Sequence, residues 1–211
     1  MSRNSRPAGR SRASKERVEE MRRAQQAQER RSRFLLIGGV ATVVLLIAGV
    51  VGFTVWRDVS GRPTLDAVAT FDVTSEHTTE AVSYEQTPPA GGDHHPAWLN
   101  CGVYDAPVPD ELAVHALEHG AVWVTYSPDL PADQVQVLED SIPDTYMVLS
   151  PYEDLPAPVV ASAWGTQLEL TGAEDPRLAE FISAYRQGPQ TPEPGAACTG
   201  GSDGELPPTS S

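Results

Sequence analysis

From Phe34 to Trp56 the chain runs for 23 residues without one charged side chain. As a helix, that length crosses a hydrocarbon core of about 30 Å, and in lipid an isolated segment must satisfy every backbone amide internally, which a helix does. The run reads as a single transmembrane span and separates the rest of the chain into two compartments. Residues 1–33 hold 11 Lys and Arg against 4 Glu, whereas residues 57–211 hold 4 Arg, no Lys and 25 Asp and Glu. Positive flanks stay on the inner side, so the amino terminus is expected in the cytoplasm and the acidic part outside the plasma membrane. The basic stretch from Arg3 to Arg33 acts in this reading as a topology determinant on the inner leaflet. A cleaved signal peptide has a shorter apolar core and a small-residue site directly after it. Here the run is followed by Trp56-Arg57-Asp58, and Ala67-Val-Ala69 lies further out, so an uncleaved anchor fits better.

An acidic exterior repels phosphate backbones, which excludes nucleic acid as a partner for that part. Its two cysteines, Cys101 and Cys198, are expected to form one disulfide in an oxidising compartment. The alternative makes Cys101 a copper-binding thiolate beside His94 and His95. Met147 is the one methionine of the exterior part, which removes a methionine-rich copper(I) site, and no Gly-rich phosphate loop calls for an organic cofactor.

Composition divides the chain into a basic tail (1–33), the span (34–56), a linker (57–65), one exterior domain (66–187) and a Pro/Gly-rich tail (188–211) pinned by Cys198. Residues 16–33 are read as a helix continuous with the span. Within the domain, 67–73 reads as a strand and 87–108 as a long loop. A helix over 110–119 is opened by Pro109-Asp110 and stopped by Gly120. A strand over 121–126, a helix over 131–141, a strand over 146–150, a strand over 159–170 with a break at Gly165, and a helix over 175–187 follow. The fold class is α+β or α/β, with an element order that also occurs in thioredoxin-like folds, although no Cys-x-x-Cys is present.

All five histidines lie between His77 and His119. On the 110–119 helix, Glu111, His115, Glu118 and His119 share one stripe, and residues four apart stand one above the other, so His115 and His119 can reach one ion. His94 or His95, from the loop, would complete the site, with His77, Glu111 and Glu118 as further ligands or orienting groups. Imidazoles suit zinc and copper alike. Two rival readings stand beside this one. The stripe can be the solvent side of an amphipathic helix, its histidines structural, in a module that binds an envelope partner. His115-Ala-Leu-Glu118-His119 also has the His-x-x-Glu-His spacing of inverted zinc proteases, where Glu118 would activate water; the downstream ligand would be Glu139, Glu174 or Glu180.

Four segments together, Pro88-Pro-Ala-Gly-Gly-Asp-His94-His95-Pro-Ala-Trp98, Cys101-Gly-Val-Tyr104-Asp, Val114-His115-Ala-Leu-Glu118-His119-Gly120-Ala-Val and Ala163-Trp-Gly165, resemble the bacterial envelope family catalogued as domain of unknown function 3105. The resemblance covers about residues 70–200. It implies a single-span protein with a His-rich exterior domain and carries no established reaction. Where the family more often has Ser or Thr near the Gly before the histidines, this chain has Ala90-Gly91-Gly92-Asp93. The functional expectation is a membrane-anchored exterior domain that binds zinc or copper and is not primarily an enzyme.

Overall fold

Apolar side chains recur on every face of the stretch 34–56, and in the computed structural model it is part of one helix, α1 (Gly9–Ser60). Residues 9–60 and 63–206 are described. Arg3 and Arg6 of the basic tail, Gly61 and Arg62 of the expected linker, and residues 207–211 lie outside them. α1 is long and apolar enough to cross a membrane, and the large side chains from Phe34 to Trp56 are exposed, as a helix that meets lipid requires. The chain divides into two units near residue 61.

The second unit is a mixed α/β domain built on one open sheet. Its elements are β1 (Ala69–Thr70), β2 (Gly102–Val103), α2 (Asp110–Glu118), β3 (Val122–Tyr126), α3 (Ala132–Ser141), β4 (Met147–Pro151), β5 (Val159–Ala163), β6 (Thr166–Leu170) and α4 (Arg177–Tyr185). The sheet order is β1-β6-β5-β3-β4-β2. β3 and β4 are parallel, joined by the α3 crossover, and β2 adds parallel to β4. β5 runs antiparallel to β3 and folds back on β6. The expected strand 159–170 is thus a hairpin, with Trp164-Gly165 as its turn. The first strand keeps only two residues, at the sheet edge against β6.

Side-chain alternation sorts the sheet into two faces. Val122, Val124, Met147, Leu149, Ala161 and Leu168 share one core cluster with Leu138 of α3 and Leu178, Phe181 and Ile182 of α4. Trp123, Val148 and Trp164 belong to a second cluster with Leu99, Leu112, Val114 and Leu117. α2 and the 87–101 loop therefore cover the face opposite α3 and α4, and the histidines lie in that layer.

Candidate metal centre

α2 starts without a side-chain cap, and Asp110 and Glu111 in its first turn face the positive helix end. It stops where His119 caps it and Gly120 turns with φ +96°, a conformation that glycine adopts at little cost. Every residue from Leu112 to Gly120 is buried. The expected stripe is consequently no solvent face: His115, Glu118 and His119 are 4 %, 5 % and 5 % exposed. What covers it is the loop before α2 and the chain's carboxy-terminal segment.

Gly91 and Gly92, both at positive φ, lead the loop to His94. A Cβ on Gly91 would meet Val73 Cγ2 at 2.8 Å, so the loop passes too close for any other residue. The Gly92 carbonyl then accepts a hydrogen bond from His94 Nδ1 at 2.7 Å, and the His95 carbonyl accepts one from His115 Nδ1 at 2.7 Å. A carbonyl can only accept, so each Nδ1 carries a proton and Nε2 is the ring nitrogen each imidazole turns inward.

Those two nitrogens meet His77 and Glu118. Glu118 Oε2 lies 3.0 Å from His94 Nε2, 3.6 Å from His77 Nε2 and 4.0 Å from His115 Nε2. The four donor atoms all fall within 4.8 Å of one another. The three imidazole centroids form a triangle with 4.8 Å sides. A tetrahedral zinc ion with bonds of about 2.0–2.1 Å keeps its donors a little over 3 Å apart, so small ring rotations close this group on an ion.

His77 reaches the group through backbone pairing: Thr78 N–H donates to the His94 carbonyl at 2.7 Å and His94 N–H to the Glu76 carbonyl at 3.0 Å. Sequence reasoning gave it a supporting place, because a bridge between residues 77 and 94 leaves no periodic signal; clustering of the histidines is what pointed to it.

The remaining expected residues lie around this group. His95 Nδ1 accepts from Ala97 N–H at 2.9 Å, and its carbonyl, not its ring, serves the centre. His119 stacks edgewise on His115 at 4.5 Å, but its Nδ1 donates to the Ala197 carbonyl at 2.6 Å and its Nε2 faces Glu193 at 3.7 Å. Glu111 accepts Val82 N–H at 3.2 Å and so holds the segment after His77. The protease-like geometry is not formed, since His115 and His119 diverge and Glu118 sits among the donors. Cys101 is bonded to Cys198, which overturns the thiolate alternative, and Met147 is buried in the core on the other sheet face.

The carboxy-terminal segment is more ordered than a Pro/Gly-rich tail suggests. Gln187 N–H donates to the Gly120 carbonyl, and Glu193 N–H to the Glu118 carbonyl at 3.2 Å. The Gln187 side-chain amide adds a bond to the His119 carbonyl at 2.5 Å. Carbonyls left free at the end of α2 are thereby satisfied.

Burial pushes His115 down to about 4, reinforced by the neighbouring His119, His94 and His77 and opposed by the His95 carbonyl. Burial raises Asp110 to about 6, against the hydrogen bond from Tyr152 and with help from Glu111. In the metal-free chain the two oppose each other. His115 removes stability as pH falls from about 6.5 towards 4, because the unfolded state takes the proton first; Asp110 adds stability as pH falls through about 6, because the folded state does. Asp110→Asn should therefore steepen the acid-side loss between pH 6 and 4 by up to about 1.4 kcal/mol per pH unit. Denaturant unfolding of both metal-free chains at several pH values checks this; parallel profiles would contradict it.

A family model described as protein of unknown function (DUF3105) matches residues 76–200, which include all five histidines and both cysteines. No match was found among curated proteins or among solved structures.

Proposed function

The chain belongs to the family described as protein of unknown function (DUF3105), and from that premise we propose that its α/β domain binds one divalent transition-metal ion, zinc or copper. His77, His94, His115 and Glu118 are the ligands, and α1 holds the domain on the outer face of the plasma membrane with the amino terminus inside. The observation that carries this reading is the convergence of three imidazole Nε2 atoms on a buried carboxylate oxygen. Lone pairs facing one another at 3.0 Å repel unless a cation or a proton lies between them. Two of the rings are also oriented by backbone carbonyls, as ligand imidazoles are in metal sites. The Cys101–Cys198 disulfide supports an oxidising compartment.

A second reading has one observation in its favour. His94 Nε2 and Glu118 Oε2 stand at hydrogen-bond distance, so a proton in place of the ion would make a structural imidazolium–carboxylate pair inside an interaction module.

Titration of the metal-free full chain separates the two. Trp98 lies 5.9 Å from the His115 ring and Trp164 lies 5.8 Å from the His94 ring, centroid to centroid. Copper(II) bound at the centre is expected to quench their emission with an end point at one ion per chain, and Trp98→Phe/Trp164→Phe should remove most of that quenching. Saturation at one equivalent of zinc, followed by calorimetry, gives the same stoichiometry without quenching. Absence of any end point with either ion favours the structural pair.

A further inference from the structure

The four donors are not held alike. The His94 side chain is 0 % exposed, that of His115 5 % and that of Glu118 6 %, whereas that of His77 is 48 % exposed. His94 and His115 each have Nδ1 fixed to a carbonyl at 2.7 Å; among the described residues nothing hydrogen-bonds His77 Nδ1. The elements behind them differ too. His115 and Glu118 stand on buried α2, and His94 follows the tight Gly91-Gly92 turn. His77 lies on the segment before that turn, outside the helices and strands, and is held there through the isolated bridge to His94. Its ring rests on its neighbours, stacked on His115 at 29° and edgewise to His94 at 84°, each at 4.8 Å.

Structural zinc sites close all four positions with protein ligands, and catalytic ones leave the fourth to a molecule from solvent; a half-exposed ligand such as His77 stands between the two. Resting on the metal reading above, we infer that His77 is an exchangeable ligand: three buried donors retain the ion, and a neutral nitrogen donor of the imidazole class can take the His77 position from solvent. The ion then passes in and out through this face by ligand substitution. The incoming nitrogen donates its lone pair as the His77 Nε2–metal bond breaks, with no change of oxidation state. His77 stays tethered by its backbone bonds to His94 and can rebind. The centre is in this sense an acquisition and hand-over site, whose partner offers a histidine-type nitrogen.

The experiment uses the full chain in detergent, purified without a polyhistidine tag and loaded with one zinc ion. Release to an excess of a chromophoric chelator is timed with and without free imidazole. In the parent chain imidazole should accelerate release, because it competes with His77. His77→Gly should keep one ion and release it at least about 10-fold faster, and here imidazole should slow release by filling the vacated position. That reversal of sign is the signature of an exchangeable ligand. Indifference to imidazole in both chains, or a His77→Gly chain that loses its ion as completely as His115→Ala, would overturn the inference while leaving the metal reading intact. A parent chain that takes up no zinc would overturn both. The parent's own imidazole dependence needs no substitution, and a thermal melt confirms that the His77→Gly chain is folded.

Discussion

Replacing His115 with alanine is expected to abolish stoichiometric metal binding, while replacing His119 leaves it largely in place. Both imidazoles are buried and their rings touch at 4.5 Å, yet only His115 turns Nε2 towards Glu118. Losing it removes a donor on the most rigid element and leaves Glu118 Oε2 facing a cavity. Outer partners of metal ligands typically contribute about 10-fold to 100-fold in affinity, so loss of a direct ligand should exceed that. His119→Ala should stay within that range, because the side chain supports the neighbouring ring, and His95→Ala should do less, because the group that holds His115 there is a backbone carbonyl. Competition titrations with a zinc chelator of known affinity rank the three variants. Equal losses for His115→Ala and His119→Ala would restore the simpler pairing of residues four apart and contradict the assigned set.

The second large effect concerns stability. Cys101 and Cys198 are 97 residues apart in sequence, and their bond closes most of the domain into one loop. The chain-entropy model assigns such a loop about 4–5 kcal/mol, gained mainly by restricting the unfolded chain. Around the bond, Cys101 N–H donates to the Cys198 carbonyl at 2.7 Å, and Ser202 N–H donates to the Trp98 carbonyl at 2.8 Å. Cys101→Ser/Cys198→Ser should thus lower the melting temperature of the domain by roughly 10–20 °C. It should also free the segment that holds His119 and the end of α2, read as faster amide exchange at Glu118, His119 and Gly120. A melting temperature unchanged within about 2 °C would mean that packing alone fixes the carboxy-terminal segment.

Local signals in the sequence located the elements well and the site only in part. Pro109-Asp110 and Gly120 bracket α2 because helix ends follow local backbone chemistry. Gly165 marks the break in the last strand pair for the same reason, and the uncharged run marks the apolar part of α1. The histidine cluster, too, was visible as a concentration of one residue type. What could not be read was direction. His119 turns away from the centre because the Ala197 carbonyl, 78 residues later, accepts from its ring. His77 joins because its backbone pairs with residue 94. Glu118 shifts from a supporting to a central position because α2 is buried from Leu112 onward, whereas helical periodicity left a solvated stripe open as a rival reading. Each of these depends on chain segments far apart in sequence, and patterns of three to four residues carry no information about them.

The ligand set and the exchange behaviour both depend on one ion being present. The most direct measurement is the metal content of the full chain, purified without chelators or a polyhistidine tag, beside His94→Ala/His115→Ala prepared in parallel. Close to one zinc or copper per chain, absent from the double variant, is the predicted result. An equally metal-free pair, unchanged after dialysis against either ion, would contradict the metal centre and leave the histidines as a hydrogen-bonded structural cluster.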